Sequence, residues 1–226
     1  MSDVLGEMKR YYAERAPEYD DWWFRRGRYD LGEDGNARWA AEAAEVEAAL
    51  DELRPFGDVV ELAAGTGLWT RHLAQGATRV VALDANAETL AINRARTDGP
   101  VEYRIADLFD WEPEERFDLS FFGFWLSHVP EARFDDFWAR VGRALRPGGR
   151  VFLVDSAAGD PAHLWQSEDA GEHEVRRLGD GREFQIVKRR WAPETLAARL
   201  APLGWETQLR TSGGGSFVYG TGRMTA

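Results

Sequence analysis

The feature that most constrains the fold is a series of five short apolar runs separated by helical patterns. The apolar runs occupy residues 58–62, 79–83, 101–105, 117–122 and 150–154. The helical patterns occupy residues 67–75, 86–96, 111–115 and 134–145. Continuous apolar runs are typical of strands covered on both faces, and their alternation with helices predicts an open parallel sheet of the α/β class. The ligand crevice of such a sheet lies at the carboxyl ends of its strands.

The segments on either side of this alternation have different patterns. Before it, the sequence predicts a helix, then an aromatic loop or broken helix, then an Ala- and Glu-rich helix, at residues 3–16, 17–35 and 36–53. After it, the sequence predicts a hairpin over 174–191 that turns at Gly179, Asp180 and Gly181. A helix over 193–202 and a final antiparallel pair, at 204–210 and 216–221, follow.

Composition excludes several classes of function. The 226 residues suit one domain, and a formal net charge of −11 argues against a nucleic-acid partner. The chain has no cysteine, which excludes disulfides and thiolate chemistry. No metal site is expected, because metal-ligand spacing is absent among the four histidines, His72, His128, His163 and His173. The ten tryptophans either fill a core or line a site for a flat or cationic ligand.

Targeting and membrane signals are not found in the sequence. Its polar first 21 residues lack the apolar region of a signal peptide, and no run of 18 apolar residues occurs. We therefore expect a cytoplasmic protein with no membrane partner. We also expect it to act on a small molecule as a monomer or homodimer.

The strongest local motif is the loop after the first apolar run. The sequence Val59-Val60-Glu61-Leu62-Ala63-Ala64-Gly65-Thr66-Gly67 leads from a predicted strand toward a helical pattern. Glycines at such a turn let the backbone approach a ligand closely. A dinucleotide favours G-x-G-x-x-G, but the third position of that pattern is Thr70 here. The acidic Glu61 would repel a pyrophosphate, whereas it suits the ammonium group of S-adenosylmethionine.

With this loop the chain resembles the class I S-adenosylmethionine-dependent methyltransferases, whose first motif is roughly E/D-x-G-x-G-x-G, with Ala63 in place of the first glycine. The resemblance implies a Rossmann-like fold with a mostly parallel seven-stranded sheet and an antiparallel C-terminal hairpin. It also implies an N-terminal helical lid and a hairpin inserted after the fifth strand. The single domain 1–226 would then comprise a lid, a cofactor-binding core, a substrate-side insertion and a C-terminal part, at 1–35, 36–155, 156–192 and 193–226.

Further motifs extend the resemblance over residues 10–155. Asp84 ends the second predicted strand, where the family's acid binds both ribose hydroxyls. Ala106-Asp107-Leu108 resembles the segment that contacts the adenine amino group. The segments 123–129 and 144–151 resemble the family's fourth-strand motif and its turn into the fifth strand. The cofactor implied is S-adenosylmethionine, with S-adenosylhomocysteine as the product.

The resemblance implies two sets of site residues. The cofactor-binding set is Tyr11, Tyr19, Glu61, Ala63, Gly65, Thr66, Gly67, Trp69, Asp84, Ala85, Ala106, Asp107, Leu108 and Phe124. The substrate-binding set is Tyr12, Trp22, Trp23, Trp125, His128, Asp155 and Trp191. In the family a lid tyrosine commonly touches the cofactor carboxylate. His128 is also the candidate catalytic residue, as a general base for an acceptor hydroxyl.

Structural roles compete with some of these assignments. Asp84 is also placed to cap the next helix, although Asn86 is the better N-cap there. The side chains expected to be purely structural are Trp39, Trp138 and Trp205 in the core, Asp118 at a strand start, and Arg176, Arg177, Arg189 and Arg190 at a strand edge.

The expected reaction is in-line transfer of a methyl group from S-adenosylmethionine to an oxygen or nitrogen atom of a small-molecule acceptor, in specialised metabolism. Such a displacement requires positioning and exclusion of water rather than a metal. The acidity of the chain leaves room for an aromatic or amine-bearing acceptor. Two alternatives stay open, an NAD(P)-dependent oxidoreductase and a non-catalytic binding module with the methyltransferase fold.

Overall fold

The computed structural model describes residues 2–158 and 172–225 of the chain. Its helices are α1 (Ser2–Arg15), α2 (Tyr19–Trp23), α3 (Gly32–Asp51), α4 (Thr70–Ala74), α5 (Ala87–Arg96), α6 (Glu131–Arg143) and α7 (Pro193–Leu200). Its strands are β1 (Gly57–Leu62), β2 (Ala77–Asp84), β3 (Val101–Ile105), β4 (Phe117–Gly123), β5 (Leu145–Ser156), β6 (His173–Arg177), β7 (Glu183–Val187), β8 (Trp205–Thr211) and β9 (Phe217–Met224). His163 and the stretch 159–171 of the predicted insertion lie outside the described residues.

The described residues form a seven-stranded sheet in the order β3-β2-β1-β4-β5-β9-β8. The first five strands run parallel, whereas β9 is antiparallel to both β5 and β8. The strand order reverses direction between β1 and β4, which is where an open α/β sheet forms its crevice. The predicted mostly parallel sheet with an antiparallel C-terminal pair is confirmed.

Both faces of the sheet are covered, as the continuous apolar runs predicted. Val60 and Phe122 pack on the side of α6 and α7, where the ring of Phe122 lies 5.7 Å from that of the buried Trp138. Val59 and Phe121 point the other way, into the cluster that contains Trp39 of α3. Successive strand residues point to opposite faces, so strands buried on both faces need apolar side chains at consecutive positions.

The inserted hairpin β6–β7 forms a small separate sheet that packs on the N-terminal helix. The ring of Tyr11 in α1 lies 5.6 Å from that of Phe184 in β7. The backbone N–H of Gln185 donates a hydrogen bond to Oε1 of Glu7 at 2.9 Å. The lid helix and the insertion, which lie far apart in sequence, therefore form one layer on the side of the sheet's crevice.

Several predicted elements differ from the structure in existence or in extent. Residues 111–115 form no helix, because the backbone turns tightly at Asp107 and Pro113 cannot lie within a helix. The fifth strand begins at Leu145 rather than at residue 150. Helix α4 begins at Thr70 rather than at residue 67, since the preceding loop contains residues with positive φ.

Candidate active site

The loop between β1 and α4 contains three residues with positive φ, which is +56° at Ala63, +54° at Gly65 and +93° at Gly67. A Cβ on Gly67 would lie 2.5 Å from Oδ1 of Asn93, so this position has no room for a side chain. Ala63 adopts the left-handed conformation at a cost of about 1 kcal/mol. The backbone therefore turns tightly at the carboxyl end of β1, where the sequence predicted a ligand-binding loop.

Asp84, the last residue of β2, faces this loop. Its Oδ2 accepts a hydrogen bond from the backbone N–H of Gly65 at 2.9 Å, and its Oδ1 accepts one from that of Asn86 at 2.8 Å. Burial raises the pKa of Asp84, and these hydrogen bonds oppose the rise. Asn86 occupies the N-cap position of α5, as predicted, although its side chain makes no cap hydrogen bond to the helix.

Glu61 is buried beneath the same loop, with a side chain that is incompletely paired. Thr70 donates a hydrogen bond to the carboxyl group, but Oε2 has no partner among the described residues. Burial raises the pKa of Glu61 to about 8, and the nearby charge of Asp84 adds to the rise. Thr70 in turn accepts a hydrogen bond from Nδ2 of Asn93 at 2.7 Å.

A cavity opens between this loop, the carboxyl ends of β2 and β4, and helix α1. The predicted cofactor-binding residues that line it are Tyr19, Ala63, Gly65, Thr66, Asp84, Ala85, Asp107, Leu108 and Phe124. The predicted substrate-binding residues that line it are Tyr12, Trp125 and His128. The structure therefore brings together most of the implied cofactor site and the candidate catalytic histidine.

The other predicted cofactor residues do not line this cavity: Tyr11, Glu61, Gly67, Trp69 and Ala106. Tyr11 packs instead on Phe184 of the inserted hairpin. The ring of Trp69 lies 5.3 Å from that of Phe121, within the core on the α3 side of the sheet. Gly67 packs against Asn93 on the buried side of the loop.

Four predicted substrate residues also lie away from this cavity. Trp22 and Trp23 pack on Trp39, at ring distances of 5.3 and 6.0 Å. The ring of Trp191 lies 5.2 Å from that of Phe134 in the other core, and Asp155 is fully buried. The three tryptophans predicted to be structural, Trp39, Trp138 and Trp205, are all buried.

Several cavity residues were missed by the sequence reasoning: Met8, Lys9, Asn86, Thr89, Phe109 and Gly123. Two of them carried a usable signal, since Met8 and Lys9 precede Tyr12 by four and three positions. Residues at that spacing share one face of a helix. Once α1 is predicted to be a helix, the expected position of Tyr12 at the site therefore also predicts Met8 and Lys9 there.

Polar contacts join the N-terminal segment to the cavity rim. Lys9 of α1 forms an ion pair with Asp107, which follows β3. Asp20 of α2 accepts a hydrogen bond from the hydroxyl of Thr66 in the loop at 2.6 Å, and it forms an ion pair with Arg96. The helices α1 and α2 therefore close one side of the cavity, and α2 contacts the loop directly.

Both ring nitrogens of His128 are hydrogen-bonded. Nδ1 lies 2.7 Å from the carbonyl oxygen of Val187, and Nε2 lies 2.7 Å from the hydroxyl oxygen of Tyr12. Burial lowers the pKa of His128 well below its ordinary value, and the positive charges of Lys188 and Arg176 lower it further. His128 is therefore neutral at physiological pH.

Charged side chains are buried next to His128. Lys188 donates a hydrogen bond to the hydroxyl of Ser127 at 2.8 Å and lies 3.6 Å from Oδ1 of Asp155. Oxygens of the buried Glu174 lie 3.0 Å from both Arg176 and Arg190. Arg176 and Arg190, which the sequence predicted as strand-edge charges, are partly buried and ion-paired in the structure.

Arg15 adds a further positive charge to this region. Its guanidinium lies 5.1 Å from the ring centroid of Tyr19 and 5.7 Å from that of Tyr11. Its Nε has no hydrogen-bond partner among the described residues. We refer to Arg15, Arg176, Lys188 and Arg190 as the basic cluster.

The described residues contain no group of three or more acidic or histidine side chains arranged to hold a metal ion. Within the same part of the chain, every helix is too short or too polar to cross a bilayer.

Comparison with known proteins shows that this chain is similar to methyltransferases. A family model described as a methyltransferase domain matches residues 59–149. The solved structure of a DhpI-SAM-HEP complex is 38% identical in sequence, with a TM-score of 0.80, and the match covers 99% of each chain. A DhpI-SAH complex matches with a TM-score of 0.79 over 99% of this chain and 98% of that one.

Curated proteins match over shorter stretches. An uncharacterized methyltransferase of Synechocystis sp. is 33% identical over 105 residues, which cover 46% of this chain and 49% of that protein. The ubiquinone biosynthesis O-methyltransferase of Paramagnetospirillum magneticum is 30% identical over 106 residues, which cover 45% and 41%. The matched region spans half or less of each of these two relatives.

Proposed function

The chain belongs to the class I S-adenosylmethionine-dependent methyltransferases, and from this premise we propose that it transfers a methyl group to an oxygen atom of a small anionic acceptor. S-adenosylmethionine is the cofactor and supplies an electrophilic methyl group bound to sulfur. The sequence left oxygen and nitrogen targets open. The observation that favours an anionic oxygen is the basic cluster beside the cavity.

The cavity suits the cofactor chemically. The Asp84 carboxylate is oriented by two backbone N–H groups, which leaves it able to accept hydrogen bonds from ribose hydroxyls. Asp107, at the cavity wall, is the candidate partner of the adenine amino group. The unpaired Oε2 of Glu61, which is buried beneath the loop rather than at the cavity wall, is a candidate acceptor for the ammonium group through water. We propose these three carboxyl groups as the polar contacts of the cofactor.

The charge balance beside His128 supports the proposal about the acceptor. The basic cluster contributes four positive charges, two of them buried (Arg15 and Lys188) and two partly exposed (Arg176 and Arg190), and the buried carboxylates beside it, Asp155 and Glu174, contribute two negative ones. A bound anion would neutralise part of this excess. The described residues therefore favour a carboxylate, phosphate or similar group over a neutral or cationic acceptor.

An anionic oxygen is also consistent with the state of His128. A neutral hydroxyl acceptor needs a base, whereas an oxyanion already carries the lone pair that attacks the methyl carbon. The low pKa of His128 makes it a weak base at neutral pH. In this mechanism the protein holds the acceptor oxygen in line with the sulfur–methyl bond and excludes water. The general-base role of His128 stays a prediction.

The proposal is tested by methyl transfer from isotope-labelled S-adenosylmethionine to a panel of small molecules of matched size. The panel contains carboxylates, phosphomonoesters and sulfonates, with neutral alcohols and amines for comparison, and the products are identified by mass spectrometry. We expect methyl esters of one or more of the anions. Methylation of amines but of no anion would contradict the proposal. Cofactor binding without any methylation would favour the non-catalytic binding module.

Charge-removing variants provide the second arm of the test. Lys188→Met and Arg176→Met should each raise the KM for the anionic acceptor about tenfold to one-hundredfold, because hydrogen bonds to charged groups contribute about 1.5–3 kcal/mol. The affinity for S-adenosylmethionine, measured by calorimetry, should change little. Arg177→Met is the matched control, since Arg177 is the next residue of β6, is exposed and pairs with Glu183. Equal effects of the Arg176 and Arg177 variants would contradict the assignment.

A further inference from the structure

The hydrogen bonds of His128 fix which of its ring nitrogens carries the proton. A carbonyl oxygen can only accept a hydrogen bond, so Nδ1, at 2.7 Å from the oxygen of Val187, must be the protonated nitrogen. In the neutral ring Nε2 then carries a lone pair. Nε2 therefore accepts its hydrogen bond from the hydroxyl group of Tyr12, at 2.7 Å.

The doubly protonated form of His128 is disfavoured by what surrounds the ring. His128 is 5% exposed, and the charged groups that act on it are Lys188 after β7, Arg176 of β6 and Arg15 of α1. All three are positive. A second proton on the ring would place a further positive charge beside these three cations. His128 thus remains a fixed hydrogen-bond acceptor at Nε2.

This arrangement determines the direction of the Tyr12 proton. Burial raises the pKa of Tyr12 well above its ordinary value, so the hydroxyl keeps its proton. That proton points to His128, and the oxygen retains lone pairs that it can offer to other groups. The ring is held by neighbours on three sides, with Tyr11 at 5.0 Å, His128 at 5.1 Å and Tyr19 at 6.4 Å. Tyr12 and His128 both line the cavity.

We propose that Tyr12 contacts the acceptor molecule directly, as a hydrogen-bond acceptor for a hydroxyl or amino group on it, and that His128 is a positioning residue that acts through Tyr12. This inference rests on the proposed methyl transfer to a small anion. It adds that the preferred acceptor carries a hydrogen-bond donor as well as its anionic group. No proton is transferred in this role, so His128 acts by orientation alone.

A double-mutant cycle tests the proposal. The variants are Tyr12→Phe, His128→Ala and the double variant, assayed with a 2-hydroxy acid or hydroxyalkyl phosphate and with the matching acceptor that lacks the hydroxyl. We expect each single variant to lower kcat/KM about tenfold on the hydroxylated acceptor, since one hydrogen bond is lost, and to have little effect on the other acceptor. The double variant should be no worse than Tyr12→Phe alone.

Three further measurements separate positioning from structural damage. Tyr219→Phe is the matched control, because its hydroxyl contacts Glu45 and Arg210 outside the cavity, and its activity should equal that of the wild type. Calorimetry should give unchanged S-adenosylmethionine affinity in every variant. Nitrogen-15 NMR of the histidine rings should show His128 protonated at Nδ1 and unprotonated at Nε2 from pH 6 to pH 8.

The outcomes that would overturn this proposal are distinct from those that would overturn the proposed function. Additive losses in the double variant would show that His128 and Tyr12 act separately. An NMR titration of His128 between pH 6 and pH 8, with kcat following the same pKa, would instead make it a general base. A wild-type enzyme that methylates no member of the anion panel would refute the proposed function, and this inference with it.

Discussion

Replacing Glu61 by glutamine should stabilise the free protein, and the gain should increase with pH. Glu61 is 2% exposed, and its Oε2 lacks a hydrogen-bond partner among the described residues. Asp84 lies close enough for its negative charge to disfavour ionisation of Glu61. Glutamine has nearly the same shape and carries no charge. The substitution therefore removes the unfavourable ionisation while it preserves the packing beneath the loop.

The size of the effect follows from the shift in pKa. Burial raises the pKa of Glu61 from 4.5 to about 8. Because the folded protein holds this proton more tightly than the unfolded chain, the stability from this group is fully present below pH 4.5 and declines up to about pH 8. One pKa unit corresponds to about 1.4 kcal/mol, so ionisation of Glu61 costs about 3 kcal/mol at pH 7 and about 5 kcal/mol above pH 8.

The assay is urea unfolding followed by tryptophan fluorescence, without cofactor, at pH 5, 7 and 8.5. The difference in unfolding free energy between Glu61→Gln and the wild type should grow by about 4 kcal/mol from pH 5 to pH 8.5. Parallel stability curves for the two proteins would refute the reasoning, since they would mean that Glu61 is solvated or paired in the folded state.

Glu42→Gln provides the contrasting control, because Glu42 is also buried but is fully hydrogen-bonded. Its carboxylate accepts hydrogen bonds from the backbone N–H of Ser216 at 2.8 Å, from the hydroxyl of Ser216 at 2.9 Å and from the hydroxyl of Ser212. A glutamine would place an NH2 group against one or more of these donors. The variant should therefore lose stability at every pH tested, by about 1–3 kcal/mol.

Two further predictions concern the loop. Gly67→Ala should lower S-adenosylmethionine affinity more than tenfold, because its Cβ would lie 2.5 Å from Oδ1 of Asn93. Gly148→Ala introduces similar backbone strain with no atom within 4 Å and should leave calorimetric affinity unchanged. Asp20→Asn weakens the contact to Thr66 and should speed release of S-adenosylhomocysteine several-fold in stopped-flow fluorescence; an unchanged release rate would show that this contact does not retain the product.

The positions that the sequence predicted well are those at the ends of parallel strands. Ala63, Asp84 and Asp107 each follow or end a strand, and the parallel arrangement brings all three to one edge of the sheet. Their proximity is a consequence of topology, so the apolar runs and the loop motif were enough to predict it. The same topology places His128 at this edge, since it follows β4.

The sequence did not predict which way each side chain turns within the loop and the lid. Gly67 and Trp69 belong to the same loop as Gly65, yet they face the buried side of it. Trp22 and Trp23 were expected to enclose the substrate, but both pack in the core on the face of the sheet that α3 covers. Side-chain direction in irregular segments depends on φ and on tertiary packing, and neither is periodic in the sequence.

The acceptor class is the prediction most affected by the structure. The net charge of −11 suggested an aromatic or amine-bearing acceptor. That number is a sum over the whole chain and says nothing about the charges near the cavity. Most of the charges in the sum are exposed and screened by water and salt, whereas a buried charge acts through a medium of lower dielectric constant. Arg15, Arg176 and Lys188 come from α1 and from the insertion, more than 150 positions apart, and act on the same histidine. We therefore expect these local positive charges, rather than the net charge of the chain, to influence which acceptor is bound.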